Sequence, residues 1–392
     1  MSRTTRLDVD VAILGGGIAG LWLLARLRRA GYAAVLLESR ALGAGQTRCA
    51  QGIIHGGTKY ALTGEVGAAA RMVAGMPARW RACLAGDGEL DLSGVPLRAA
   101  HQILWSPGGL GPRLAGLFAG HLMRSRLEPL ARERWPEALR HPAFRGRVWR
   151  LDEPVVDVAG LLRVLVRAGG GALLEARAQA LAAGPPGRVS APGLEITAQR
   201  LVLAAGAGNA DLLAMLGRSG PAMQRRPLHM VMVRGPLPAL HGHCLGTSPR
   251  PRLTVTTHED PQGRPVWYLG GQLAEAGVAR SEADQVAAAR AELETLFPWL
   301  DFGPCQWATL RVDRAEAAAG GRLPGDVFCE EKDGVITVWP TKLALAPEAA
   351  ARVEAMLAAA GLRPGARPQP DTAGLPRPEP APLPWLEEAP WS

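Results

Sequence analysis

The chain has 392 residues, nearly half of them hydrophobic and a fifth charged, enough for two globular domains or one composite one and unlike a disordered polymer. No apolar run reaches bilayer length, and the first strand begins within ten residues with no leader-like segment before it, so the expected location is cytoplasmic. The net charge of +8 comes from 41 arginines against three lysines, spread along the chain, which does not indicate nucleic acid but leaves open acidic substrates and peripheral contact with an anionic membrane face.

Residues 8–14 alternate and then run apolar, as a buried strand does. Gly15, Gly17 and Gly20 follow in the spacing G-x-G-x-x-G, then an apolar helix to about Ala30 and a second apolar run, Ala33 to Leu37, closed by Glu38. Gly15 permits the tight turn, Gly17 lets a pyrophosphate approach the backbone, and Gly20 lets helix and strand pack closely. The helix start, with Ile18 and Ala19, offers free N–H groups to phosphates. Glu38, with Ser39 and Arg40 after it, is placed to accept from ribose hydroxyls. This unit predicts a dinucleotide-binding fold.

Further elements predict more pieces of the same fold. A helix over 159–168, a short strand over 172–175, a buried strand over 200–205 and a loop at Ala205 and Gly206 form a second piece. A strand over 334–339, the segment Pro340, Thr341, Lys342 and Leu343, and a long alanine-rich helix form a third. The division is therefore 1–75, 151–220 and 326–362 for the dinucleotide-binding domain, with two inserts, 76–150 and 221–325, forming a substrate domain. The inserts hold strand-like runs at 101–105, 229–233, 252–257 and 265–270 and a helix over 282–297. Residues 363–392 carry nine prolines and two tryptophans, a composition that predicts an extended or disordered tail open to a partner. A second glycine cluster, Gly108, Gly109 and Gly111, lacks a third glycine and an acid-tipped strand, which argues against a second nucleotide domain. The five cysteines are scattered, odd in number and never in C-x-x-C spacing, so they suggest neither a disulfide frame nor a metal site.

The glycine turn does not choose between NAD and FAD. The segment after Glu38 does more: Gly45, Gln46, Thr47, Arg48, Cys49, Ala50, Gln51, Gly52, Ile53, Ile54, His55, Gly56, Gly57, Thr58, Lys59, Tyr60. It resembles the second flavin-contacting segment of the FAD-dependent glycerol-3-phosphate dehydrogenases and L-2-hydroxyglutarate oxidases, in the D-amino-acid-oxidase superfamily. The specific part is His-Gly-Gly followed by a cation and Tyr. The resemblance covers residues 8 to about 360 and departs at 340–341, where relatives commonly carry Gly-Gly before the lysine.

That resemblance implies an α/β fold: a Rossmann-like, glutathione-reductase-type FAD-binding domain assembled from discontinuous segments, with an α+β substrate domain on a mixed or antiparallel sheet. It implies FAD on the fingerprint residues together with Gln46, Thr47, Gly52, His55, Gly56, Gly57, Ala205, Gly206, Pro340, Thr341, Lys342 and Leu343. Gly56 and Gly57 would pass against the flat flavin ring, and Lys342 would put positive charge beside its N1–O2 edge. His55 or His229 would take a proton from a substrate hydroxyl as hydride passes to flavin N5; Arg311 and Lys59 would hold a small anionic substrate. Electrons would leave to quinone, oxygen or a protein carrier. An amine or amino-acid oxidase, and a non-catalytic FAD-stabilised subunit docked through its tail, are the alternatives.

Overall fold

The computed structural model describes residues 4–57, 68–108, 127–248, 250–321, 324–387 and 391–392. Two eight-stranded sheets organise them. In the first, Val335–Trp339, Leu194–Leu203, Thr5–Leu14, Ala34–Glu38 and Leu173–Glu175 lie side by side and parallel, and Phe328–Lys332 adds an antiparallel edge. The central strand explains the order: Val9 to Ile13 are fully buried, as a strand covered on both faces must be. The helices Ile18–Ala30, Val158–Gly169 and Ala346–Ala359 bury their apolar faces in one core with this sheet.

The first sheet is thus built from three distant stretches of chain, at the boundaries expected for its strands to within a few residues. Two features go beyond that expectation. The strand expected over 200–205 starts at Leu194, and a hairpin, Ala180–Ala182 and Gly187–Ala191, extends the sheet from it. The helix Ala68–Leu84 runs straight through the expected boundary at residue 75. Its Val73, Met76 and Trp80 join the core of the first unit, and Trp80 Nε1 donates to the Ala344 carbonyl at 2.9 Å. Arg26 and Arg79 both pair with Glu89, closing this corner with charge.

The second sheet runs in the order Gln306–Ala317, Met223–Arg234, Pro265–Gly270, Leu253–Glu259, Gly242–Cys244, Gln102–Ser106, Arg147–Leu151 and Leu127–Pro129. It is antiparallel except between Gly242–Cys244 and Gln102–Ser106. Its two longest strands pair over twelve rungs without a register shift. The helix Glu282–Leu296, capped by the Ser281 hydroxyl, covers one face through Ala289, Leu293 and Leu296. The other face, through Met230, Met232, Val266, Tyr268, Ala308 and Val312, joins the core of the first unit. The site lies between that face and the first sheet.

The tail corrects the sequence reading. It is extended, as expected, but it is packed. Leu383 and Trp385 are each 2% exposed and belong to the main core. Trp385 stacks on His258 at 3.7 Å, Pro380 bridges to Leu42, and Ser392 exchanges both backbone hydrogen bonds with Trp307. Proline and tryptophan do not need a core of their own here; they are laid onto one that the rest of the chain has built.

Candidate active site

The glycine fingerprint closes as predicted. A Cβ on Gly15 would sit 2.5 Å from the Ala205 backbone, and one on Gly20 would sit 2.0 Å from the Gly15 carbonyl. Gly17 differs: the nearest atom to a Cβ there is the Thr47 hydroxyl at 3.5 Å, so the space before the helix stays open. Gly17 caps that helix without a side chain of its own, and the first turn of the helix holds no acid. Glu38 accepts from Gly16 N at 2.7 Å and from Arg40 N at 2.9 Å, which holds its carboxylate against the turn with lone pairs to spare for a ribose. Thr47 Oγ1 accepts from Ile18 N at 3.0 Å, tying the second segment to the fingerprint. The Asn209 side chain holds the loop at Ala205 and Gly206: it accepts from Ala205 N and donates to the Val338 carbonyl. An open anion cradle, a ribose acceptor and a threaded second segment fit FAD.

From Gln46 the chain crosses between the sheets. Gln46 Nε2 donates to the Ala315 carbonyl at 3.4 Å, and Gln51 Nε2 donates to the Tyr268 carbonyl at 2.9 Å. Gly52, expected against the flavin, owes its conformation to something else. Its φ is 76°, and a Cβ would fall 2.2 Å from the Val156 carbonyl, because residues 52–54 pair with the strand Val155–Val156. Cys49 is half-buried and packs against the main core; desolvation pushes its thiol up to about 11.

His55 follows that pairing and meets two residues that the sequence did not single out. Its Nδ1 lies 3.4 Å from the buried Glu153 carboxylate, and the His243 ring stacks against it with centroids 5.9 Å apart. Glu153 also accepts from Gly56 N at 2.7 Å and from Gln102 Nε2 at 3.2 Å. Burial alone would raise the Glu153 pKa; the hydrogen bond and charge of His55, then the His243 ring and the Gly56 amide, bring it down to about 2. Burial drops His243 to about 4, and its Nδ1 lies 2.9 Å from the Thr254 hydroxyl. Glu153 and His243 had no local motif to betray them, since each enters the site from a different strand end.

His229 and Arg311 are not brought to this place. They are opposite each other in the paired long strands, on the face covered by the helix Glu282–Leu296. His229 is fully buried and its Nδ1 meets the Gly277 carbonyl at 3.0 Å. Arg311 spends its guanidinium on the carbonyls of Val278 and Arg280. Side chains alternate across a strand, so a residue one step away would face the first unit, and the sequence does not reveal which parity is inward. Pro340 to Leu343 lie at the carboxyl end of Val335–Trp339, with Trp339 Nε1 donating to the Gly206 carbonyl. Lys59 falls outside the described residues, as do Gly109 and Gly111 of the second glycine cluster. Among the described residues no helix is long and apolar enough to cross a membrane.

Comparison with known proteins agrees with this fold and with FAD as its cofactor. The family model described as DAO, FAD dependent oxidoreductase, matches residues 10–367. The chain is 54% identical over 387 residues to the probable FAD-dependent oxidoreductase PA4991 of Pseudomonas aeruginosa, covering 97% of this chain and 98% of that one. The crystal structure of PA4991 superposes with a TM-score of 0.82 at 48% identity, again over 97% and 98% of the two chains. Glycine oxidase from Geobacillus kaustophilus (TM-score 0.68, 16% identity, 92% of this chain and 100% of that one) shares the fold. So does L-alpha-glycerophosphate oxidase from Mycoplasma pneumoniae with FAD bound (TM-score 0.67, 13% identity, 90% and 95%).

Proposed function

This chain belongs to the DAO family of FAD-dependent oxidoreductases, and from that premise we propose that it oxidises a small anionic hydroxy compound, with His55 as the base. The observation that carries the reading is the His55–Glu153 pair. A carboxylate only 3% exposed, met by Gly56 N and Gln102 Nε2, sits 3.4 Å from Nδ1. It fixes the ring and its tautomer, and leaves Nε2 as the nitrogen that serves a substrate hydroxyl. FAD supplies the two-electron acceptor when bound. The fingerprint, Glu38 and Thr47 would hold its nucleotide end, and residues 51–57 and 340–343 would flank its ring. His243 closes the cavity beside His55 with a neutral ring, so no second positive charge competes for the proton. Glu153 acts through His55 and is a positioning residue. An amine substrate entering as the neutral base would need neither His55 nor Glu153, and that contrast separates the two chemistries.

The test is anaerobic mixing of the holoenzyme with 2-hydroxy acids, glycerol 3-phosphate and amino acids while the flavin's visible band is followed. Hydroxy compounds are expected to bleach it. His55→Asn should slow bleaching by about 10²–10⁴-fold. Glu153→Gln should slow it less and shift its pH profile. Bleaching by amino acids alone, or an undiminished rate in His55→Asn, overturns the reading.

A further inference from the structure

Three side chains at the site have the chemistry of metal ligands. His55, Glu153 and His243 each offer one ligating atom, and these atoms lie within 4.8 Å of one another. Bonds of about 2.0–2.2 Å to one ion would set such atoms about 3.3–3.5 Å apart, so a closing movement of roughly an ångström completes the set. His55 Nδ1 and the Glu153 carboxylate already stand 3.4 Å apart.

The second sheet holds two of the three. Gly242–Cys244 and Arg147–Leu151 flank the same strand, Gln102–Ser106, so His243 and Glu153 approach from either side of it. Gln102, from that strand, donates to Glu153 Oε2 at 3.2 Å, and Gly56 N donates to Oε1 at 2.7 Å. Thr254 Oγ1 meets His243 Nδ1 at 2.9 Å. In the tautomer that donates to this hydroxyl, His243 Nε2 carries the lone pair. Bonds of this kind orient imidazole and carboxylate groups for a metal. His55 is the adjustable member, with a side chain 38% exposed.

Two imidazoles and one carboxylate also select among cations. Imidazole nitrogen suits zinc and its late first-row neighbours, whereas magnesium and calcium prefer oxygen ligands. Three protein ligands leave a fourth position of a tetrahedral ion open.

We propose that His55 Nδ1, Glu153 and His243 Nε2 bind one zinc-class divalent cation, and that this cation silences oxidation. The silencing rests on the reading of His55 as the base; the binding stands without it. A neutral imidazole has one lone pair and one N–H. Once the Nδ1 lone pair is given to the ion, the ring proton moves from Nδ1 to Nε2. That nitrogen then donates and no longer accepts from a substrate hydroxyl. No electron changes hands, and removing the ion restores the base.

The test is equilibrium dialysis of the oxidised holoenzyme against zinc chloride, with magnesium chloride as the contrast, read as metal per chain by atomic absorption. No substrate is present, so its failure is distinct from failure of the hydroxy-oxidase reading. One zinc per chain is expected at micromolar free zinc, and no magnesium at the same concentration. His55→Asn, Glu153→Gln and His243→Asn should each weaken zinc binding at least about tenfold. His141→Asn, at an exposed position, should bind zinc as the parent does. Flavin content and thermal midpoint are checked in every variant, and the half-exposed His55→Asn decides the matter if a buried variant unfolds. Zinc should also slow flavin bleaching by a hydroxy substrate at least about tenfold, and a chelator should restore it. A parent that takes up no zinc, or takes up magnesium as readily, overturns the proposal. So does undiminished zinc binding in His55→Asn. Zinc bound while a hydroxy substrate still bleaches the flavin at the full rate overturns the silencing.

Discussion

Glu153 shows that company, not burial, decides a charge. A carboxyl taken out of water prefers to be neutral, yet three donors hold this one ionised. The buried histidines go the other way: burial lowers His243 to about 4 and puts His258 well below its ordinary value. Their sign follows from proton counting. The unfolded chain takes up protons near pH 6.5 that the folded one refuses, so stability rises with pH through this window and is lost as pH falls from about 6.5 towards 4. Glu153, with its pKa depressed, adds a loss between about 4.5 and 2. The urea midpoint should therefore drop between pH 7 and 4.5 and drop less in His243→Asn; a flat midpoint would contradict this. At this scale the sequence was legible where function rests on local backbone. Gly15 and Gly20 were readable because the G-x-G-x-x-G spacing is itself the signal, although Gly15 packs on Ala205 from a distant strand. Glu153 and His243 were not, because each acquires meaning only from a neighbour more than eighty residues distant.

Among the elements, the segment after Val335–Trp339 is the one under strain. Thr341 has φ of 63°, a left-handed conformation in which a β-branched side chain crowds the backbone. Its hydroxyl caps the Pro340 carbonyl at 2.6 Å, a local bond that helps to hold the turn. The resemblance implies glycine here, and this chain has threonine. Thr341→Gly should raise stability by about 0.5–1 kcal/mol, measured as a shift of the thermal midpoint of the apoprotein; a fall would mean that the Thr341 hydroxyl outweighs the strain. The elements themselves were mostly legible. Strands over 265–270 and 335–339 and the helix from Glu282 were visible as apolar runs with clear starts. The strand Gln306–Ala317 was not, because arginines, acids and alanines interrupt its alternation. Its polar positions fall on both faces, Arg314 and Glu316 on one and Thr309, Arg311 and Asp313 on the other, so neither face reads as apolar throughout.

On the scale of the whole molecule, the tail acts as a strap. Arg367 pairs with Asp8 and Asp10 on the first strand, and Arg48 pairs with Glu387. Trp385 fills a slot between His258 and Tyr268 of the second sheet. Trp391 lies under the Arg234 guanidinium at 4.0 Å. Both tryptophans are thus engaged within the chain. Trp385→Ala should cost about 3–5 kcal/mol by leaving a cavity between the two sheets. Chemical denaturation of the holoenzyme measures it, and a loss below about 1 kcal/mol would show that the slot closes without the ring.

The order of strands in the first sheet also governs when the molecule can become itself. Thr5–Leu14 emerges early in synthesis, but its neighbour Leu194–Leu203 follows some 180 residues later, and Val335–Trp339 later still. Until they arrive, a strand that ends in the apolar run Val11 to Leu14 has one partner strand and an open edge, the kind of surface that aggregates. The nucleotide cradle is equally incomplete, since Ala205 walls its glycine turn. Loading of the cofactor is therefore a late event in the life of the chain, and a shortage of flavin should show first as a shortage of soluble protein.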